Sequence, residues 1–139
     1  MADTVFKLNR AGRIALVTID NGEDYRRPTT LGRSAFESAV DVLEQAGITL
    51  DDVDLFELNE PFAVQVLTWC DELGIPADDP RLNPYGGAIA CGHPLAATGV
   101  RLISQLAYGL RDRGGRYGLT ALCIGMGMGC AVLWENLQS

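Results

Sequence analysis

Short apolar runs alternate along this chain with longer segments of helical periodicity, which restricts it to layered α/β folds. Ile14-Ala-Leu-Val-Thr-Ile19 is rich in β-branched residues and ends at Asp20-Asn21-Gly22, the pattern of a strand followed by a turn. Residues 23–33 are charged and carry Pro28, so they read as a loop. Ser34 is placed to cap a helix through about Ala46, with Glu37 three residues on completing a capping box. Within that helix Phe36, Val40, Leu43 and Ala46 recur at helical spacing, and Gly47 supplies the stop. A second strand is expected over Val53–Leu58 and a helix apolar on most faces, hence buried, over Phe62–Leu73, ended by Gly74 and Pro76. A polar loop over 75–87, a third helix from Ala97 or Thr98 to Leu110, and strands over Tyr117–Ile124 and Cys130–Glu135 complete the order.

The 139 residues suffice for one domain with one core, and a hydrophobic share of 47% against 21% charged is that of a globular protein. A net charge of −7 and scattered basic residues argue against a nucleic-acid partner. No apolar run reaches eighteen residues, so no membrane span is expected, and the N-terminus lacks a secretory pattern. Cys70, Cys91, Cys123 and Cys130 are not spaced as a disulfide framework and read as reduced thiols of a cytoplasmic protein. A zinc site from Cys91, His93, Cys123 and Cys130 lacks any Cys-x-x-Cys pair, so no metal is expected.

The segment richest in chemistry is Asn83-Pro-Tyr-Gly-Gly-Ala-Ile-Ala-Cys-Gly-His-Pro-Leu-Ala-Ala-Thr-Gly99. It holds the only histidine, His93, between Gly92 and Pro94. Glycine lets backbone approach a ligand, proline fixes the turn, and an imidazole held there can be aimed and can titrate near neutrality. A lone histidine in a turn is ordinarily unremarkable. Two further segments give it company: Glu57-Leu-Asn59-Glu60-Pro61-Phe62 and Cys123-Ile-Gly125-Met-Gly127-Met-Gly129. The last resembles a phosphate loop only superficially, because a strand rather than a helix is expected after it.

Taken in order, these three segments resemble the C-terminal half of the thiolase family over roughly residues 37–137. The family pattern is Asn-Glu-Ala-Phe, then Gly-Gly-Ala-Ile-x-x-Gly-His-Pro-x-Gly-x-Thr-Gly, then Cys-x-Gly-Gly-Gly-x-Gly. The resemblance implies a layered α/β half-domain with a mixed sheet flanked by helices. It also implies cleavage or condensation of 3-ketoacyl-CoA, with a coenzyme A thioester as substrate and no covalently bound cofactor. By the resemblance His93 activates the nucleophile and donates to a thioester oxygen, and Asn59 holds the water that completes that oxyanion hole. Cys123 is then the second acid/base, with Gly125 and Gly92 in the loops that cradle the substrate. Read without the motif, Asn59 is a cap where strand gives way to helix, and Cys123 is a small buried residue at a strand end. Glu60 reads as structural or solvated, Cys91 and Cys70 as packing.

Three positions depart from the family pattern: Pro61 and Ala96, where it has alanine and glycine, and Met126, where it has glycine. Proline is tolerated at a first helical position, whereas methionine at a positive φ is strained. No segment here resembles the family's nucleophilic-cysteine motif, which lies in the N-terminal half. An isolated chain of this kind is expected to be incomplete, and either to self-associate or to pair with an N-terminal thiolase half or an intact thiolase subunit. A catalytically silent interaction module or fusion remnant is the alternative. Residues 1–33 stand apart from 34–139. Residues 13–32 resemble the opening strand and turn of a crotonase (enoyl-CoA hydratase) domain about as well as they fit a generic strand and polar loop. The strand at Ile14–Ile19 is expected to join the domain's own sheet, where without it the strand near Val53–Leu58 would lose a neighbour and expose an edge.

Overall fold

The computed structural model describes residues 5–11, 14–20, 31–125 and 128–137, with side chains described over 37–125 and 129–137. Five strands form one mixed sheet: β1 (Val5–Ala11), β2 (Ile14–Asp20), β3 (Leu55–Leu58), β4 (Tyr117–Gly125) and β5 (Met128–Glu135), in the order β1-β2-β5-β4-β3. Among the described strands only β3 and β4 run parallel; the other strand pairings are antiparallel. The helices are α1 (Leu31–Ala46), α2 (Ala63–Leu73), the single turn α3 (Ala88–Cys91) and α4 (Thr98–Arg113). The α/β half-domain with a mixed sheet is therefore present as expected. The strand at 14–19 joins the sheet, pairing Ala15 with Leu133 and Thr18 with Cys130 on β5, but it does not flank the strand near Val53–Leu58 as expected: β3 lies at the far edge of the sheet.

All four residues of β3 are buried, as a strand covered on both faces requires. Alternation divides them. Phe56 and Leu58 enter the main core with Ala39, Val42 and Leu43 of α1 and with Trp69, Cys70 and Leu73 of α2. There the Phe56 and Trp69 rings meet edge to face at 5.8 Å. Leu55 faces the other way, onto Leu106 and Leu110 of α4. The α4 helix fits this closely only because β4 presents a glycine beneath it. A Cβ at Gly118 would lie 2.7 Å from Leu106 Cδ1, and Leu106 is buried with nowhere to retreat. Gly118→Ala is expected to lower stability by about 1–3 kcal/mol, read as the shift of the urea midpoint at unchanged slope. A midpoint that stays put would mean that α4 is not seated on the sheet in this way.

Several local expectations change. The first helix starts at Leu31, so residues 31–33 are helical and Ser34 lies inside the helix rather than capping it. A serine cap contributes about 1 kcal/mol, too little to stop a helix where the preceding residues can extend it. The Thr-x-x-acid pattern that does close is at Thr49 and Asp52, on a short 3-10 turn. There the Asp52 carboxylate accepts from the Thr49 N–H and hydroxyl at 2.7 Å each. Those bonds hold Asp52 below the usual carboxylate range. The β3 strand is shorter than 53–58, because Asp54 turns its carboxylate to the Arg116 and Tyr117 amides instead.

The α2 helix ends at Gly74, in the left-handed conformation (φ 68°), as foreseen. It is not buried on most faces. It packs on α1 and the sheet through Trp69, Cys70 and Leu73, while Phe62, Val64 and Leu67 are exposed. Pro61 precedes the Phe62 cap instead of occupying the first helical position. The strand β1 and the turn α3 had no sequence signal strong enough to read. The turn at residues 21–22, the loop to residue 30, and Met126 with Gly127 lie outside the described residues.

Candidate active site

Parallel β3 and β4 end at the same edge of the sheet, and the first and last of the sequence motifs lie there. Asn59 follows β3 directly and is fully buried. Its backbone N–H extends the ladder to the Ala121 carbonyl at 3.1 Å. Its side chain bridges to β4, where Oδ1 accepts the Cys123 backbone N–H at 3.2 Å. Because Cys123 N–H can only donate, the amide orientation is fixed, and Nδ2 is left buried without a protein partner. A buried amide donor with nothing to donate to is the atom that most calls for a bound water or substrate oxygen. The capping role weighed for Asn59 does not occur: α2 starts four residues later, at Ala63, with Phe62 as its cap.

Cys123 is half-buried at the rim of the main core and is a free thiol. Past it the β4–β5 register slips: Cys123 pairs with Gly129, and Gly125 pairs with Met128. The slip lifts Gly125 out of the regular ladder at φ 88°, exposed, with open space where a side chain would be. His93 comes from the loop between α3 and α4. Gly92 ends α3 at φ 86°, ψ 166°, a conformation essentially reserved for glycine, and releases the chain toward the histidine. The half-buried His93 ring is then held by its Nδ1, 2.7 Å from the Oγ1 of buried Thr98. That hydroxyl also reaches the Pro94 carbonyl at 3.2 Å. With the hydroxyl proton on Pro94, Nδ1 carries the ring proton and Nε2 keeps its lone pair, the form a general base needs. Thr98 opens α4, whose next residue, Gly99, abuts Leu122 of β4: a Cβ there would lie 3.7 Å from Leu122 Cδ2. The histidine loop therefore leads into a helix that touches β4 one residue before Cys123.

Two carboxylates in the first motif carry more than its sequence revealed. Glu60, at φ 51°, accepts from Asn83 Nδ2 at 2.6 Å and from the Ile89 N–H at 3.1 Å, so it is structural and not solvated. Glu57 is 1% exposed, and neither carboxylate oxygen has a protein hydrogen-bond partner. Burial pushes its pKa up to about 7; the Glu60 charge adds to the shift, and Arg101 and Arg113 oppose it. Arg101 is half-buried, binding the Gly86 carbonyl at 3.2 Å and the Gln105 side chain, while its Nε and Nη2 have no protein partner. Neither Glu57 nor Thr98 was singled out in the sequence. A carboxylate within an otherwise apolar strand was the signal for the first; for the second there was only its place in the histidine motif. Among the described residues no helix is long and apolar enough to cross a membrane.

A mixed sheet covered by helices on both faces, with the first and last motifs on neighbouring strand ends, defines a layered α/β half-domain. Residues 13–136 match the family model described as the thiolase C-terminal domain, and the chain belongs to the thiolase family as its C-terminal part. It is 46% identical over 110 residues to the 3-oxoadipyl-CoA/3-oxo-5,6-dehydrosuberyl-CoA thiolase of Escherichia coli, covering 79% of this chain and 27% of that protein. It is 51% identical over 94 residues to the peroxisomal 3-ketoacyl-CoA thiolase B of Rattus norvegicus, covering 67% and 22%. The crystal structure of human mitochondrial 3-ketoacyl-CoA thiolase superposes with a TM-score of 0.73 at 40% identity, over 80% of this chain and 28% of that one. The chain thus spans about a quarter of the length of these relatives.

Proposed function

We propose that this chain supplies the C-terminal half of a thiolase-type active site that moves acyl groups between coenzyme A and an enzyme cysteine. His93 Nε2 takes the proton of the nucleophilic thiol, and the thiolate attacks the 3-ketoacyl carbonyl. The carbon–carbon bond breaks, Cys123 returns a proton to the departing α-carbon, and acyl-CoA leaves. Free coenzyme A then accepts the acyl group from the enzyme thioester. Asn59 Nδ2, through a water, and the Gly125 amide stabilise the developing oxyanions, with Gly92 giving the substrate close access to backbone. The observation that carries this reading is the buried Asn59 amide, pinned by Cys123 N–H and left with an unused donor.

The nucleophile comes from outside these 139 residues. The same reading places the partner on the apolar surface around the site: Phe62, Val64 and Leu67 of the α2 segment, Leu95, and Val100 and Ile103 of α4 are all exposed. An N-terminal thiolase half, or a second copy of this chain, covers them. Four free thiols support the reading of a reducing compartment, the cytoplasm.

Exchange of labelled acyl-CoA with free coenzyme A tests the proposal. The purified chain alone is expected to give no turnover, and exchange appears on adding a separately produced N-terminal thiolase half. Robust ketoacyl-CoA cleavage by the isolated chain, abolished by Cys123→Ala, would overturn it and make Cys123 the nucleophile. A chain that binds the half and restores nothing is a silent interaction module, the reading to which Ala96 in the histidine motif lends some weight.

A further inference from the structure

We propose that Glu60 is a positioning residue, a carboxylate clamp that fixes the histidine loop against the end of β3. This rests on the reading of His93 as the base. Glu60 immediately follows Asn59, so one turn sends two side chains in two directions. Asn59 goes to β4, and Glu60 goes to the segment that leads into His93. Of that carboxylate, Oε1 accepts the Asn83 side-chain amide at 2.6 Å and Oε2 accepts the Ile89 N–H at 3.1 Å. Asn83 is itself tied to β3 at both ends: its Oδ1 accepts the Leu58 N–H at 2.7 Å, and its own N–H reaches the Phe56 carbonyl at 2.8 Å. From Ile89 only Ala90, Cys91 and Gly92 intervene before His93, whose ring is then held from the far side by Thr98. The histidine is therefore pinned on both flanks.

Two independent features show that the clamp is built and not incidental. Glu60 (φ 51°) and Asn83 (φ 42°) are the only described non-glycine residues at positive φ, and they bond to each other. Left-handed backbone at such residues is unfavourable and persists where surrounding contacts enforce it, which is typical of functional sites. The second is Gly87. A Cβ there would sit 2.0 Å from the Glu60 Cδ, so the carboxylate lies flat on bare backbone and would have to move aside for any side chain opposite it. Two acceptors are needed too: a carboxylate has two acceptor oxygens for its two donors, whereas glutamine would turn an NH2 group toward one of them.

His93 is the chain's only histidine, so its ring nitrogens report on the loop without interference. Nitrogen-15 NMR on the purified chain tests the clamp through Glu60→Gln. Asp54→Asn is the matched control, because Asp54 Oδ2 accepts the Arg116 and Tyr117 amides at 2.7 and 2.9 Å, at the opposite end of β3. Both variants should melt at lower temperature. Only Glu60→Gln should move the His93 ring signals and speed exchange of the ring N–H with water, by about tenfold, the factor carried by one hydrogen bond to a charged group. Gly87→Ala should do the same, and the double variant should be little worse than either single one. Ring signals unchanged in Glu60→Gln, or displaced equally in Asp54→Asn, overturn the proposal. If neither clamp variant folds, the unmodified protein decides: an Ile89 amide that exchanges like an unprotected one overturns it, and a protected one supports it. Because the readout is the ring and not turnover, a clamp that fails is distinguishable from an acyl-transfer reading that fails.

Discussion

Raising the pH from 4.5 to 7 will cost this domain about 3 kcal/mol of stability through Glu57 alone. The carboxyl has an ordinary pKa of 4.5 in the unfolded chain and about 7 in the folded one, chiefly because burial disfavours its charge. Below pH 4.5 it is protonated in both states and contributes no penalty. Between the two values the unfolded chain releases its proton while the folded chain retains it, so stability falls with rising pH. Above pH 7 both states are ionised and the full cost of the buried charge is present. The positive charges of Arg101 and Arg113 reduce that cost without removing it. Urea unfolding across pH 4–8 should show this decline in the natural sequence, and Glu57→Gln should flatten it. Parallel pH profiles for the two proteins would show that Glu57 titrates as it would in water.

The order of strands and helices was legible because its signals are local. A β-branched run marked β2, apolar runs marked β4 and β5, and Gly47 and Gly74 marked helix ends. What failed depended on competition or on distant partners. Ser34 looked like a cap, and the helix simply extends past it. The α2 segment looked buried on most faces because Phe62, Val64 and Leu67 are apolar, but among the described residues its one helix neighbour with substantial contact is α1. At the site, the motifs named His93, Asn59 and Cys123 only through family likeness. The bond from Cys123 N–H to Asn59 joins residues 64 apart and exists because β3 and β4 pair in parallel, a pairing that composition and periodicity do not encode. The Glu60 contacts were hidden for the same reason: they require Gly87 to be bare and Asn83 to be left-handed, and neither property shows in the linear pattern.

In the reconstituted enzyme, His93→Ala is expected to lower acyl exchange by about 10²–10⁴-fold, the range that a positioned general base supplies. The loss should fall on kcat/KM and on kcat alike, because the proton is moved in the transition state and not on binding. Thr98→Val is the informative companion. It keeps the size of the side chain and removes the hydroxyl that holds Nδ1 at 2.7 Å, so the imidazole stays but its tautomer and orientation are no longer imposed. The Thr98→Val rate should therefore lie between those of the natural protein and His93→Ala. The fold should survive His93→Ala, since that half-buried ring has only one side-chain partner. Thr98 is fully buried, and its loss should cost about 1–3 kcal/mol, because Nδ1 is left without its partner. Association with the N-terminal half, measured by sedimentation, should be unchanged in both. A His93→Ala enzyme that assembles and exchanges within a few-fold of the natural rate would remove the histidine from the chemistry, leaving its loop as architecture alone.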